Sequence, residues 1–505
     1  MAITKLKGRD GKDYSVDFAK KAGAGTMKDV FWGHQKKYVV AFYRDKLDWN
    51  AIDRLETICG KYRDRIFNGI GGDYWKSIYC WPETIVEHDG KTGLIVPVYD
   101  KRFFFSHGSQ KGDSFGIKGK EKKGKWFSTA SHRKGILDPR ELGDWKSHLG
   151  TCLRISRGVR RLHMAGLAHS DLSYNNVLVD PSHHAGGACI INIVDMLVVP
   201  NKFAPDVLGT PDFIAPEVMA TQELKLGDKS KHVPDIRTDR HALAVLVYLY
   251  LLYRHPLRGK KIHSTDPTKD ESAALGDKAL FIEHDTDLSN RVDPGEHKPN
   301  SMPWQDPSKM PVTVTGPYLT PLFNKAFVQG LHDPNLRPAA DEWERAIVLT
   351  MDLLRPCENA QCVQKSFVLN NDATPTCPFC GKKDQDKIPV FNLYSKKGSS
   401  GSYRPDNHRL AAYDGQSIFR WHSNRTIQPN EALKPNEIKR VAYVQKQRNN
   451  ELWLVNQGLP SMKSFPAGGS TATPVPVGKH VVLKPDVKIL LDGGNGGRLA
   501  HVQFV

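Results

Sequence analysis

Between His169 and Glu217 three short segments follow one another in a fixed order, and they limit the fold more than any other feature of the chain. The first, AHSDLSYNNVLVD, sets His169, Asp171 and Asn176 in an H-x-D-L-x-x-x-N spacing ahead of a short apolar run. Nineteen residues after Asn176, Asp195 closes a second apolar run, IINIVD. The third, GTPDFIAPEV, carries Ala215, Pro216 and Glu217. Each segment alone is compatible with ordinary turns, where Asp and Asn are common. Together they supply the hard oxygen donors that Mg²⁺ prefers. They also supply a carboxylate of the kind that phosphoryl transfer needs beside the attacking hydroxyl.

In this order the three segments resemble the catalytic loop, the metal-binding aspartate and the A-P-E segment of protein kinases. The resemblance spans about residues 10–355. It implies that Asp171 is the base that orients the substrate hydroxyl, and that Asn176 and Asp195 are Mg²⁺ ligands. Asp239 in TDRHALAV matches the buried aspartate that opens the long central helix of such domains, and Arg337 matches the arginine that pairs with the A-P-E glutamate, here Glu217. YSVDFAKKAGAGTMKDV, Tyr14 to Val30, resembles the first two strands and the phosphate-covering loop. Gly23 and Gly25 would let backbone amides approach phosphate closely. The run Leu94 to Pro97 resembles the strand leading to the adenine hinge, which puts backbone groups near Val98 against the base. ATP and Mg²⁺ are the implied substrate and cofactor.

Several departures shape the expectation. The strand VVAFYR carries Tyr43 where the nucleotide-binding lysine belongs. Lys28 occupies the slot of the third loop glycine, on the neighbouring strand, as in the with-no-lysine kinases. We therefore expect Lys28 to be the phosphate cation, with Glu56 as its carboxylate partner and Asp53 as the second choice. The alternative is a solvated strand lysine, with Arg44 or nothing in the role. Ser170 replaces the arginine that usually precedes the base, which argues against a phosphate clamp on the activation loop. Ser173 replaces a lysine two residues after the base, and Met196-Leu197 replaces Phe-Gly.

Cys357, Cys362, Cys377 and Cys380 give C-x4-C-x14-C-x2-C, the spacing of a zinc ribbon. So short a segment cannot bury a core, and bound Zn²⁺ would supply its folding energy. Two disulfides or four free thiols are the alternatives. Cys59, Cys80, Cys152 and Cys189 are scattered and read as small buried hydrophobes.

The rest of the 505-residue chain fits a soluble, α+β, multi-domain protein: 39% hydrophobic, 25% charged. The longest apolar run, Ala242 to Tyr253, is too short to span a bilayer. The first residues, MAITKLKGRDGKD, carry no secretory pattern, so the expected location is cytoplasmic. Trp49 to Ile66 reads as a helix and 140–355 as mostly helical. The lysine run Lys118 to Lys125 reads as an exposed loop, and Lys260 to Pro311 as an inserted polar loop. KKGSSGS at 396–402 resembles a linker. The expected organisation is a bilobal kinase-like fold (N-lobe 1–100, C-lobe 101–356), a zinc ribbon at 357–385 and a β-sandwich at 391–505. The last resembles a forkhead-associated domain in broad pattern, with Arg420 and His422 as candidate phosphothreonine readers at a spacing that departs from that family.

The arrangement resembles atypical bacterial Ser/Thr kinases associated with tellurium-resistance-type operons. That resemblance implies a protein substrate of von Willebrand A type and a PP2C-type phosphatase as antagonist; the short apolar runs predict no membrane association. Two other classes stay open: a pseudokinase scaffold that binds nucleotide without transfer, and a nucleic-acid-associated protein acting through the ribbon and the net charge of +17.

Overall fold

The β-type runs of the first hundred residues form one antiparallel sheet in the computed structural model of the chain. It contains β1 (Thr4–Lys7), β2 (Asp13–Ala24), β3 (Lys28–Gly33), β4 (Tyr38–Tyr43), β5 (Thr84–His88) and β6 (Lys91–Pro97), in the order β1-β2-β3-β4-β6-β5. Alternate residues of these strands, Leu6, Tyr14, Val16, Val40, Phe42, Val86 and Ile95, make one apolar cluster. Alternation follows from the two-residue period of a strand with one face covered. In the β3–β4 register Lys28 stands directly opposite Tyr43. The structure describes residues 3–24, 27–183, 185–205, 209–225, 227–292, 310–370, 374–384, 386–396 and 401–505. Gly25, positions 397–400 of the expected linker and 293–309 of the expected polar loop lie outside the described residues.

Helix Trp49–Thr57 follows the sheet, capped by Asp48, whose carboxylate accepts from Ala51 N. It runs through a π-turn, Ile58–Tyr62, into Arg63–Phe67, so the expected helix is present with one irregular turn. The helical part is built on two long helices, Trp145–Met164 and Ile236–Leu252. Both open on capping boxes, Asp144/Ser147 and Asp235/Thr238, which satisfy orphan N–H groups at a helix start. The second is apolar nearly all round and buried from Ala242 to Leu252, as a central helix must be. A short hairpin, β7 (Val177–Val179) with β8 (Ala188–Ile190), follows the His169–Asn176 loop.

Two expected loops prove to be partly structural. Lys122 is buried, with its Nζ 2.9 Å from Glu141 Oε2 and 3.0 Å from Asp180 Oδ1. Gly124 is buried too, and a Cβ there would overlap the Tyr250 hydroxyl. Lysine density alone misread this segment, because two distant carboxylates neutralise the buried ammonium. Within the expected polar loop, helix Pro267–Leu275 forms, and Phe281, Ile282 and Glu283 are buried.

The chain divides into two compact units, Met1–Val312 with Pro321–Glu344, and Thr313–Thr320 with Arg345–Val505. The second unit holds the cysteine cluster and two antiparallel sheets. Residues in β9 (Leu354–Pro356) and β10 (Ser366–Val368) pair beside the cysteines. The six-stranded sheet contains β11 (Pro389–Lys396), β12 (Tyr403–Ala411), β16 (Lys463–Phe465), β17 (Thr473–Pro474), β19 (Lys488–Leu490) and β20 (Arg498–Phe504), ordered β12-β11-β20-β19-β16-β17. The four-stranded sheet is β13 (Ser417–Ile418), β14 (Ala442–Lys446), β15 (Leu452–Asn456) and β18 (His480–Val482). Phe391, Leu410, Val444, Leu454, Ile489 and Val502, drawn from both sheets, share one core. Among the described residues no helix is long and apolar enough to cross a membrane.

Candidate active site

In the first unit the loop after helix Trp145–Met164 is tied down from below. Asp239, buried in the first turn of helix Ile236–Leu252, accepts from the backbone N of His169 at 2.7 Å and pairs with His163 Nε2 at 3.1 Å. His169, also buried, donates from Nε2 to the carbonyl of Ile191 at 3.1 Å. These contacts fix the backbone two residues before Asp171. Ser170 takes a left-handed φ of 54° and its hydroxyl donates to Met196 O at 2.6 Å. A non-glycine residue in that region is uncommon, and such strain concentrates at functional loops. The bond ties the loop that carries Asp171 directly to the residue after Asp195, and it is made by the residue that stands where the resembled family places an arginine.

Asp171 receives Asn176 Nδ2 at 2.6 Å on one oxygen and Thr210 Oγ1 at 2.9 Å on the other. Thr210 is also 3.1 Å from Ser173 Oγ. The Asn176 side-chain oxygen accepts from Asn192 Nδ2 at 2.5 Å, which leaves it a second lone pair. Glu217 and Arg337 form a bidentate pair, at 2.8 and 2.7 Å, and the arginine is fully buried.

The sheet contributes the cation. Lys28 Nζ lies 2.5 Å from Asp195 Oδ2 and 4.6 Å from the centroid of the Tyr43 ring. The Tyr43 hydroxyl donates to the other oxygen, Asp195 Oδ1, at 2.7 Å. Burial first, and the Asp195 charge second, push the Tyr43 phenol well above its ordinary range, so it stays protonated and donates. Arg54, on helix Trp49–Thr57, donates from Nη1 to Phe203 O at 3.2 Å and lies close enough to Asp195 to feel its charge; burial lowers its own pKa. Sequence reasoning missed Arg54. Its neighbour Glu56 was expected to hold Lys28, and the structure does not bring them together. Glu56 is half-exposed and paired with Arg9. Asp53, the second choice, is 2.5 Å from Lys202 Nζ. Arg44 is exposed and bound to Asp29 at 3.0 Å. Gly23 pairs with Val30, and a Cβ there would meet open space. Val98 is half-buried just beyond the end of β6.

Lys28, Asp195, Asp171 and Asn176 thus line one site. Two carboxylates and a carboxamide are oxygen ligands suited to Mg²⁺, and a partly buried ammonium beside them suits a polyphosphate. The residues present fit Mg·ATP by the chemistry of this donor set.

In the second unit the Sγ atoms of Cys357, Cys362, Cys377 and Cys380 all lie within 4.8 Å of one another. The closest pairs are Cys357–Cys380 at 3.5 Å and Cys362–Cys377 at 3.8 Å. Four thiolates about 2.3 Å from a tetrahedral zinc stand about 3.8 Å apart, so the cluster fits that ion. All four are free cysteines. A second group, Asp352, His408 and His422, is a hydrogen-bonded cluster: Asp352 is 2.7 Å from His408 Nε2 and 3.1 Å from His422 Nε2. The backbone N of Phe419 donates to His422 Nδ1. Its proton therefore sits on Nε2, facing Asp352, and that nitrogen has no lone pair for a metal. His422 is 1% exposed, which removes it as a phosphothreonine reader; Arg420 is exposed.

Residues 123–293 match the family model of the protein kinase domain. The matched stretch contains Asp171, Asn176, Asp195 and Glu217 and begins after the sheet that carries Lys28. The chain contains a protein kinase domain. No curated protein was found to match it.

Proposed function

We propose that the chain is an ATP-dependent protein kinase that transfers the γ-phosphoryl group to Ser or Thr hydroxyls, with Lys28 as its phosphate-binding cation. The observation that carries this reading is the convergence of Lys28 and Asp195, from sheet and loop, on the site that also holds Asp171 and Asn176. In this reading Asp195 and the Asn176 side-chain oxygen hold Mg²⁺, which when bound neutralises charge on the β- and γ-phosphates. Lys28 turns from Asp195 Oδ2 toward the phosphates while staying beside the carboxylate. Asp171 orients the acceptor hydroxyl and takes its proton as the oxygen bonds to the γ-phosphorus and the bond to the bridging oxygen breaks, releasing ADP. Thr210 and Asn176 fix the two oxygens of Asp171 for that task. Backbone near Val98 receives the adenine edge.

The wider reading rests on sequence resemblance: a von Willebrand A-type protein substrate, a PP2C-type phosphatase that reverses the reaction, and a cytoplasmic setting. The four cysteines hold a structural Zn²⁺, a role supported by their mutual distances.

A pseudokinase is the competing reading. It is favoured by Ser173, which removes a cation beside the base, and by the engagement of both Asp195 oxygens within the protein. Incubation with radiolabelled Mg·ATP and a generic basic protein separates the two. The kinase reading expects transfer that falls at least about 10³-fold in Asp171→Ala and Asp195→Ala with melting temperature retained. Nucleotide binding without transfer under any condition establishes the scaffold instead.

A further inference from the structure

The resembled family sets its phosphate-binding lysine with a helix carboxylate. Among the described residues of this chain, neither carboxylate of helix Trp49–Thr57 is on Lys28: Asp53 is held by Lys202 and Glu56 by Arg9. Something else must orient an ammonium on a flexible four-carbon stem. Lys28 is the first residue of β3 and Tyr43 the last of β4, paired directly across the ladder. Residues directly opposite on neighbouring strands project to the same face. The ring therefore lies alongside the lysine, and the ammonium sits 4.6 Å from its centroid, inside cation–π range. The same side chain reaches on to Asp195 Oδ1 at 2.7 Å, while Lys28 holds Oδ2 at 2.5 Å. Two donors, one on each oxygen, fix the plane of the carboxylate.

We propose that Tyr43 is a positioning residue of the phosphoryl-transfer site: its ring seats the Lys28 ammonium and its hydroxyl fixes the metal-facing carboxylate of Asp195. The proposal rests on the kinase reading and deepens it. A tyrosine at the lysine position is then a working replacement for the helix glutamate. It joins cation and metal ligand through one side chain, so a change in either function travels through residue 43. The two parts of the side chain have separable effects. The hydroxyl governs how Asp195 meets Mg²⁺; the ring governs where Lys28 meets the phosphates.

The test uses the full chain with Tyr43→Phe, which keeps the ring and removes the hydroxyl, and Tyr43→Leu, which removes both. Phosphoryl transfer and ADP binding are each titrated with Mg²⁺. Tyr43→Phe is expected to raise the Mg²⁺ concentration for half-saturation about tenfold, the scale of one hydrogen bond to a charged group, with KM for ATP within about twofold. Tyr43→Leu is expected to raise KM for ATP as well, by about fivefold to tenfold. A merely structural tyrosine would lower melting temperature and active fraction without moving the Mg²⁺ midpoint. Wild-type transfer with an unmoved Mg²⁺ midpoint in Tyr43→Phe overturns the proposal and leaves the kinase reading intact. If the wild type transfers nothing, the midpoint for ADP binding still decides for or against Tyr43. A wild type that neither transfers nor binds Mg·ADP overturns both.

Discussion

In the helical half of the first unit, Asp171 stands on a loop whose backbone is bolted to Asp239 and which Ser170 ties to Met196 and Asp171 itself ties to Thr210. In the sheet half, the proposed cation Lys28 stands on a different strand than the resembled family uses, directly opposite Tyr43 and 4.6 Å from its ring centroid. The first half keeps its chemistry by keeping buried partners in place. The second keeps its chemistry by reaching the same point in space from another backbone position. Carboxylates that must meet a metal or an acceptor hydroxyl tolerate little displacement. An ammonium on a long stem can start from several places and still arrive.

The sharpest way to break the helical half is to remove a buried ion. Arg337→Ala strips both oxygens of Glu217 and leaves that carboxylate without its bidentate partner. A loss of about 3–5 kcal/mol in urea unfolding is expected, as for other pairs broken on one side. A loss under about 1 kcal/mol would mean the pair is not holding this half together.

The sheet half predicts exchange instead of collapse. Lys28→Met is expected to lower kcat/KM about 10²-fold while the fold persists. Adding Tyr43→Lys to that variant places an ammonium directly across the ladder, and about tenfold of the loss should return. No recovery would show that the strand of origin matters as well as the charge.

Acid should loosen the helical half by a different route. His148 and His241 are buried, and burial is the largest cause holding each ring well below its ordinary pKa; the partly buried His255 is shifted in the same direction. The two buried rings stay neutral in the folded chain, while the unfolded chain takes up protons below about pH 6.5. The unfolded state then binds more protons, so stability falls as pH drops through that value and is fully present above it. His241 is the cleanest probe, since neither ring nitrogen has a hydrogen-bond partner among the described residues. His241→Leu should flatten the fall in thermal midpoint between about pH 7.5 and 5.5. It should leave stability at pH 7.5 unchanged or raised by about 1 kcal/mol. An unaltered pH slope would remove His241 from the account.

The smallest effect is also diagnostic. Glu56→Gln should change kcat/KM by less than about twofold, because Glu56 faces Arg9 on the surface and exposed pairs contribute little. A loss of tenfold or more would restore the helix carboxylate to the role that Tyr43 is given above.

Most of the helical half was legible from spacing, because Asp171, Asn176 and Asp195 lie within one local stretch whose turns fix their directions. Lys28 was legible only through an absence, the tyrosine at position 43. The partner of Lys28 was not. Apolar periodicity locates a helix face without saying which polar residue beside it looks inward, and one residue turns the view by about 100°. So Arg54 reaches the Phe203 carbonyl while Glu56 meets Arg9, an N-terminal residue no local pattern connects to it. Lys122 and His422 were misread for the same reason. Their partners, Glu141 with Asp180 and Asp352, are distant in sequence, and composition sees only neighbours. The β-rich segments of the second unit were legible by alternation, and their strand order was not.

Calorimetric titration of wild type and Lys28→Met with Mg·ADP tests the central claim most directly. The account predicts measurable binding by the wild type and a Kd at least about 30-fold weaker in the variant, with unchanged melting temperature. Equal affinity in the two would place the phosphate cation elsewhere and contradict it.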